Sequence, residues 1–121
     1  MRLFIVDDDP DVLRALELQL RPVGAELHRF QDPQAALQAA KTKLPDLAVV
    51  DFNLPRMSGL ELLRRLKELN PNLRAMLITA QDANDEIAKA RDEHLFDVLL
   101  GKPWRMSEII EKARELVALA R

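Results

Sequence analysis

The chain has 121 residues, of which 48% are hydrophobic and 31% are charged. This length fits one compact domain, 1–121, and the apolar fraction is high enough to fill a core and to argue against disorder. The formal net charge of −2 gives no sign of a nucleic-acid-binding surface. There is no cysteine, and no apolar run approaches the roughly 20 residues of a membrane span. We therefore expect a cytoplasmic domain that binds neither nucleic acid nor membrane directly.

Short apolar runs alternate with longer segments of helical spacing along the chain. The runs predict strands at Leu3–Val6, Ala25–Phe30, Leu47–Val50, Ala75–Thr79 and Val98–Leu100. The longer segments predict helices at 10–21, 33–42, 59–69, 84–93 and 106–120. Of the strands, Ala25–Phe30 is the most polar, so we expect it at an edge of the sheet.

Capping signals agree with this division. Asp9 and Asp32 each precede a proline, the pattern of an N-cap followed by proline at the first helical position. Ser58–Glu61 has the spacing of a capping box.

Runs such as "LAVV" and "AMLIT" are apolar on both faces, as buried parallel strands require. Strands that alternate with helices indicate an α/β fold, a doubly wound five-stranded parallel sheet with helices on both faces. Sheets of this kind bind ligands at the carboxyl ends of their strands.

Polar residues follow the predicted strands at this edge. The first strand runs into three consecutive aspartates, Asp7, Asp8 and Asp9, and the third runs into Asp51. Thr79 ends the fourth strand, and Lys102 follows the fifth. Two carboxylates ~4 Å apart repel by about 4 kcal/mol at an effective dielectric of about 20, so the acidic cluster calls for a cation.

The chemistry of this set is coherent, although each residue alone has an ordinary structural explanation; Asp9, for example, is explained as an N-cap. Converging carboxylates select Mg²⁺ or Ca²⁺, and Mg²⁺ commonly shares phosphate oxygens. A lysine and a hydroxyl would hold the other oxygens of a phosphoryl group, and one carboxylate could be its acceptor.

From end to end, the chain resembles the receiver domain of two-component response regulators. The matching segments are "FIVDDDP", "PDLAVVDFNLPRMSGLELLRRLK", "LITAQ" and "GKPW". The resemblance implies the flavodoxin-like strand order 2-1-3-4-5. It also implies a switch rather than an enzyme, limited to Mg²⁺-dependent self-phosphorylation from phosphodonors and self-dephosphorylation.

The resemblance assigns a role to each matching residue. Asp51 would accept a phosphoryl group from the phosphohistidine of a sensor histidine kinase or phosphotransfer protein. Asp8, Asp51 and the backbone carbonyl of Asn53 would bind Mg²⁺, and Asp7 would do so through water.

Three further residues have implied roles. Lys102 would pair with a phosphoryl oxygen and precede a cis bond to Pro103, and Thr79 would hydrogen-bond the phosphoryl group. Asn53 and Gln81 would tune dephosphorylation.

The chain departs from the family where receivers signal. Leu99 stands where receivers usually carry an aromatic residue, and 94–96 replace the usual small residues with "HLF". Trp104 follows the "KP" pair in place of the commoner phenylalanine. We expect Leu99 and Trp104 on the partner face of helix 4, strand 5 and helix 5, which would meet an output domain, a downstream protein or a second copy of the chain.

Two alternatives belong to other classes. A haloacid-dehalogenase-type phosphatase would use Asp7 and Asp9 as its D-x-D pair, but it needs an acidic pair beyond Lys102 and leaves Asp51 without a role. A receiver-like module that dimerises or docks without phosphorylation is the second alternative. The last helix, 106–120, is amphipathic because it covers the sheet, which explains it without a membrane surface.

Overall fold

A computed structural model describes residues 1–80 and 84–121. The strands in these residues are β1 (Arg2–Val6), β2 (Glu26–Phe30), β3 (Leu47–Asp51), β4 (Arg74–Thr79) and β5 (Val98–Gly101). The α-helices are α1 (Pro10–Leu20), α2 (Pro33–Ala40), α3 (Gly59–Leu69), α4 (Asp85–Asp92) and α5 (Met106–Ala120). Each predicted strand and helix is present, and the bounds differ from prediction by a few residues at most. Within the described ranges, no helix is long and apolar enough to cross a bilayer.

All five strands are parallel and lie in the order β2-β1-β3-β4-β5. This confirms the α/β fold class, the strand order implied by the family resemblance and the edge position of β2. The central strand β3 is buried along its full length, and its register places Leu47 opposite Leu3 of β1. Because every strand points the same way, their carboxyl ends meet at one edge of the sheet.

The first two helices begin at the predicted caps. The Asp9 side chain accepts from the Asp11 amide at 2.9 Å, and the Asp32 side chain accepts from the Gln34 amide at 3.0 Å. A proline follows each cap at the start of the helix, where no amide donor is needed.

At the start of α3 only half of the predicted capping box is formed. The Ser58 hydroxyl accepts from the Glu61 amide at 3.2 Å. The Glu61 carboxylate turns to the helix surface, where Arg64 and Arg65 each bind it at 3.1 Å. Two arginines one turn along the helix hold this carboxylate, whereas the capping box would have used one backbone amide.

Three predicted helices end before their predicted last residue, and the one predicted as 84–93 ends at Asp92. The segment predicted as 33–42 stops at Ala40 because the amides of Thr42 and Lys43 both turn back to the Ala39 carbonyl. The segment predicted as 10–21 stops at Leu20 and continues as a 3₁₀ turn closed by Gly24, whose φ of +83° suits a residue without a Cβ.

The sheet separates two hydrophobic clusters. One lies between the sheet and helices α2, α3 and α4, with Phe4, Val50, Leu63, Leu66 and Leu77 among its buried members. The other lies under α1 and α5 and includes Leu3, Ile5, Leu16, Val49 and Ile109. Neighbouring residues of one strand enter opposite clusters, as the twofold alternation of a strand requires.

Candidate functional site

The carboxyl edge of the sheet contains the buried polar side chains identified among the described residues: Asp7, Asp51 and Thr79, which are 1%, 5% and 2% exposed. Asp7 follows β1, Asp51 ends β3 and Thr79 ends β4. Parallel pairing of β1 with β3 and of β3 with β4 brings these three strand ends together. The sequence-predicted acids and hydroxyl therefore share one site.

Lys102 joins this site from the end of β5. Its Nζ lies 3.1 Å from Oδ1 of Asp51 and 3.6 Å from Oδ2 of Asp7. Its backbone amide donates to the Thr79 carbonyl at 2.9 Å, and the Lys102–Pro103 bond is cis, as the resemblance implied. One ammonium group therefore faces two buried carboxylates.

Three carboxylates converge at this edge. Asp7, Asp8 and Asp51 each offer one oxygen, and these oxygens all lie within 4.8 Å of one another. Asp7 Oδ1 accepts from the Asp9 amide at 2.9 Å, whereas the buried Asp7 Oδ2 has no hydrogen-bond partner. Asp8 is exposed at the mouth of the site. A buried oxygen without a donor, beside two further carboxylates, suits a hard divalent cation.

The pKa values of the two buried carboxyl groups, Asp51 and Asp7, reflect the same shortage of positive charge. Burial raises the pKa of the Asp51 carboxyl, and the hydrogen bond and charge of Lys102 offset part of that rise. Burial likewise raises the pKa of the Asp7 carboxyl, with added repulsion from Asp51 and Asp8. Each carboxyl is held in a place that disfavours its charge unless positive charge is supplied.

The start of α3 lies directly against the backbone of Asp51. The Gly59 amide donates to the Phe52 carbonyl at 2.8 Å, and a Cβ added at Gly59 would lie 2.2 Å from the Asp51 carbonyl oxygen. Only glycine allows this approach, so Gly59 positions the chain around Asp51. Gly59 lies within the segment "PDLAVVDFNLPRMSGLELLRRLK" that carries the family resemblance, but the sequence alone does not predict this contact.

A second residue that sequence reasoning did not single out is Gln31. Its side-chain amide donates to the Asp8 carbonyl at 3.4 Å across a separation of 23 residues. No local pattern signals this contact, because it depends on the pairing of β1 with β2.

Of the remaining predicted site residues, Asn53, Leu99 and Trp104 lie in the part of the chain that the structure describes. Asn53 is exposed in the loop after β3, and Gln81 falls outside the described residues. Leu99 is half-buried and packs against the α2–α3–α4 cluster. Trp104 packs against the α1–α5 cluster, and its Nε1 donates to Oε1 of Gln19 at 2.8 Å. The two predicted switch residues thus belong to opposite layers of the fold.

The sequence matches the model of the response regulator receiver domain family over residues 3–114. The chain belongs to this family. Receiver domains are generally non-enzymatic switches controlled by phosphorylation, and they work with histidine kinases and output domains.

Relatives of known class support this assignment. The probable transcriptional regulatory protein TcrX of Mycobacterium tuberculosis is 34% identical over 116 residues, which are 95% of this chain and 49% of TcrX. The DNA-binding transcriptional regulator NtrC of Klebsiella pneumoniae is 34% identical over 88% of this chain and 23% of NtrC. The chain therefore spans about half the length of TcrX and less of NtrC.

A solved structure has the same fold over nearly the whole chain. The signal receiver domain of an HD domain-containing protein from Pseudomonas fluorescens Pf-5 superposes with a TM-score of 0.90 and 29% identity, covering 98% of this chain and 95% of that one. The match to the receiver family over residues 3–114 argues against the alternative of a haloacid-dehalogenase-type phosphatase.

Proposed function

We propose that Asp51 accepts a phosphoryl group from the phosphohistidine of a sensor histidine kinase or phosphotransfer protein, in a Mg²⁺-dependent reaction in the cytoplasm. The observation that supports this most strongly is the buried Asp51 carboxylate, with Lys102 Nζ at 3.1 Å and two further carboxylates at the same edge. The phosphorylated domain then changes its interaction with an output domain or another partner.

Asp7, Asp8, Asp51 and the backbone carbonyl of Asn53 are the groups that would hold Mg²⁺. Two observations support this fit: the three carboxylate oxygens lie within 4.8 Å of one another, and Oδ2 of Asp7 has no hydrogen-bond partner. When bound, the ion supplies positive charge that offsets the repulsion among the acids and the charge of a phosphoryl group. Asp7 would contribute mainly through a bound water.

In the proposed transfer, a carboxylate oxygen of Asp51 forms a bond to phosphorus while the phosphorus–nitrogen bond of the donor breaks. The electron pair of the broken bond goes to the histidine nitrogen. The Lys102 ammonium, which faces Asp51 in the unphosphorylated protein, pairs with a phosphoryl oxygen, and the Thr79 hydroxyl donates to another. A small phosphodonor would react in the same way, and hydrolysis, modulated by Asn53 and Gln81, would restore Asp51.

Phosphorylation changes the charge at a buried position. It adds about −1.5 to −2 charges and strong acceptor oxygens at Asp51. Lys102 follows β5 and Thr79 ends β4, so their movement toward these oxygens repacks the adjoining loops. The result is a shift of a two-state equilibrium at the face formed by α4, β5 and α5, the expected surface for a partner or a second copy of the chain.

Intact mass after incubation with acetyl phosphate tests the proposal. Wild type and Asp92→Ala, an exposed carboxylate on α4, are expected to gain one phosphoryl group only when Mg²⁺ is present. Asp51→Ala is expected to gain none, since the acceptor oxygen is gone.

A phosphorylated Asp51→Ala protein would contradict the assignment of the acceptor. If wild type shows no adduct, beryllofluoride binding in the presence of Mg²⁺ distinguishes fast hydrolysis from an inert site. A protein that neither forms a phosphoryl adduct nor binds beryllofluoride would instead be a docking or dimerisation module that works without phosphorylation.

A further inference from the structure

The lysine of the site belongs to a short segment between β5 and α5. We call residues 102–105 the lysine segment. The Lys102 amide donates to the Thr79 carbonyl of β4 at 2.9 Å. At the other end, the Arg105 amide donates to Oε1 of Glu108 in α5 at 3.2 Å. The backbone of the lysine segment is therefore bound to a strand at its start and to a helix at its end.

Trp104 attaches the middle of the lysine segment to helix α1. Its indole Nε1 donates to Oε1 of Gln19 at 2.8 Å, across a separation of 85 residues. The ring is half-buried against the α1–α5 cluster, where an indole N–H needs an acceptor. Because Gln19 is half-buried as well, water competes with this bond less than it would at an exposed position.

Helix α1 is a firm anchor for this bond. Its side chains Leu16 and Leu20 are buried in the α1–α5 cluster. The start of the helix is also tied to the site, because the amide of its N-cap, Asp9, donates to Oδ1 of Asp7 at 2.9 Å. Helix α1 therefore contacts the acidic loop of the site at its start and, through Gln19, the lysine segment.

The lysine segment carries a group whose placement matters. Lys102 Nζ lies 3.1 Å from Oδ1 of Asp51 and 3.6 Å from Oδ2 of Asp7, at the end of a flexible four-carbon stem. Pro103 separates Lys102 from Trp104, and its ring restricts the backbone angle φ. A tryptophan held against α1 therefore limits where the backbone of Lys102 can lie, and so where its ammonium group can reach.

We propose that Gln19 is a positioning residue for phosphoryl transfer: by accepting the indole N–H of Trp104, it holds the lysine segment so that Lys102 faces the acceptor carboxylate. The inference rests on the proposed phosphorylation of Asp51. In that reaction the ammonium group stabilises charge on a phosphoryl oxygen, and this contribution falls steeply when the group is misplaced. Gln19 acts through Trp104 rather than on the reacting atoms.

Substitution of Gln19 tests this role through the rate of phosphorylation. Gln19→Met keeps the length of the side chain and removes the acceptor, whereas Gln19→Glu keeps an acceptor oxygen. Gln38→Met, at an exposed glutamine of α2, is a matched control. With acetyl phosphate at a fixed concentration and saturating Mg²⁺, we expect intact mass to show an initial rate about fivefold lower in Gln19→Met, the factor that corresponds to one neutral hydrogen bond. Gln19→Glu and Gln38→Met should react like wild type.

Two further measurements separate positioning from a general effect on folding. Trp104→Phe keeps an aromatic ring and removes the donor, so the double variant with Gln19→Met should react no more slowly than the slower single variant. Calorimetry should give Gln19→Met the Mg²⁺ affinity of wild type, because the carboxylates are unchanged. An unchanged phosphorylation rate in Gln19→Met, or rate losses that multiply in the double variant, would overturn the proposal. A lower Mg²⁺ affinity would also overturn it, since the acidic loop rather than Lys102 would then have moved.

Amide hydrogen exchange without ligand keeps this proposal separate from the proposed function. We expect the Lys102 amide to exchange faster in Gln19→Met than in Gln19→Glu, because the lysine segment opens more readily when the bond to α1 is lost. The indole proton of Trp104, the single tryptophan of the chain, should shift upfield in Gln19→Met alone. If wild type neither gains a phosphoryl group nor binds beryllofluoride, the proposed function fails. The Lys102 amide then decides whether Gln19 positions the lysine segment, and equal exchange in the two variants would show that it does not.

Discussion

Carboxylates lie both at the edge of the sheet where the parallel strands end, the carboxyl edge, and at the edge where they begin, the amino edge. Their negative charges are compensated to different degrees. At the carboxyl edge, Asp7 and Asp51 are buried and share one lysine, and one Asp7 oxygen has no donor. At the amino edge, the carboxylates of Glu26 and Asp97 lie nearer the surface and bind arginines at 2.7 and 3.0 Å.

Charged side chains at the amino edge have hydrogen-bond and ion-pair partners. The Arg2 amide donates to Asp46 at 2.8 Å, and its guanidinium donates to the Leu44 carbonyl at 3.0 Å. Hydrogen bonds from His28 and Arg2 lower the pKa of the exposed Glu26 carboxyl to about 2. These contacts join strand starts and loops, so this edge supports the fold.

The comparison shows how one residue type serves two purposes. A carboxylate that is exposed and paired helps to hold strands together, whereas a buried carboxylate with too few donors costs stability until a ligand supplies positive charge. We therefore place the proposed Mg²⁺ binding and phosphoryl transfer at the under-paired carboxyl edge. Four experiments test this distinction between the two edges.

Asparagine substitution at the two edges should differ most in phosphorylation. Asp7→Asn is expected to slow Mg²⁺-dependent phosphorylation by acetyl phosphate by about 10- to 100-fold, because it removes a carboxylate from the cation site. Asp46→Asn should react like wild type. Intact mass against time gives both rates, and an equal loss in the two variants would mean that the edges do not differ in function.

Alanine at two glycines near the site tests how crowded the carboxyl edge is. Gly59→Ala places a Cβ 2.2 Å from the Asp51 carbonyl, whereas a Cβ at Gly101 has nothing within 4 Å. We expect the free energy of unfolding to fall by about 2–3 kcal/mol in Gly59→Ala and to change little in Gly101→Ala. Urea unfolding measures both, and full stability of Gly59→Ala would show that the α3 start can move away freely.

Magnesium should stabilise the protein through the carboxyl edge alone. At a tenfold excess over its dissociation constant, Mg²⁺ is expected to add about 1.4 kcal/mol to the free energy of unfolding. The gain should vanish in Asp7→Asn and persist in Asp46→Asn. Urea unfolding with MgCl₂, compared with a monovalent salt of equal ionic strength, separates binding from screening, and a gain that survives in Asp7→Asn would place the ion elsewhere.

The two edges should also respond to pH with opposite sign when no divalent cation is present. The raised pKa of Asp7 means that the folded protein binds this proton more tightly than the unfolded chain does. Wild type should therefore gain stability relative to Asp7→Asn as pH falls from neutral through that raised pKa.

The lowered pKa of Glu26 has the reverse consequence. Its contribution is present above the ordinary value of 4.5 and is lost as pH falls toward about 2, so the advantage of wild type over Glu26→Gln should shrink in that interval. Urea unfolding of the three proteins between pH 2 and 7 measures these small differences. If the stability contributions of Asp7 and Glu26 changed with pH in the same direction, the proposed difference between the two edges would be contradicted.

Much of the fold was predictable from local patterns. Two-sided apolar runs predict buried parallel strands, Asp9 and Asp32 before prolines predict helix starts, and the polar run at Ala25–Phe30 predicts an edge strand. The meeting of Asp7, Asp51, Thr79 and Lys102 was predictable too, since parallel strands bring their carboxyl ends to one edge.

Other features depend on distances between elements. The sequence by itself could not show that Asp7 keeps an oxygen without a donor, that Gly59 touches the Asp51 carbonyl or that Trp104 reaches Gln19. Lys67 reads as an ordinary surface lysine, and its bond to His94 spans 27 residues. Sequence patterns report the periodicity and the caps of one element at a time. Contacts between elements depend on how helices settle on the sheet, which only the packed tertiary structure determines.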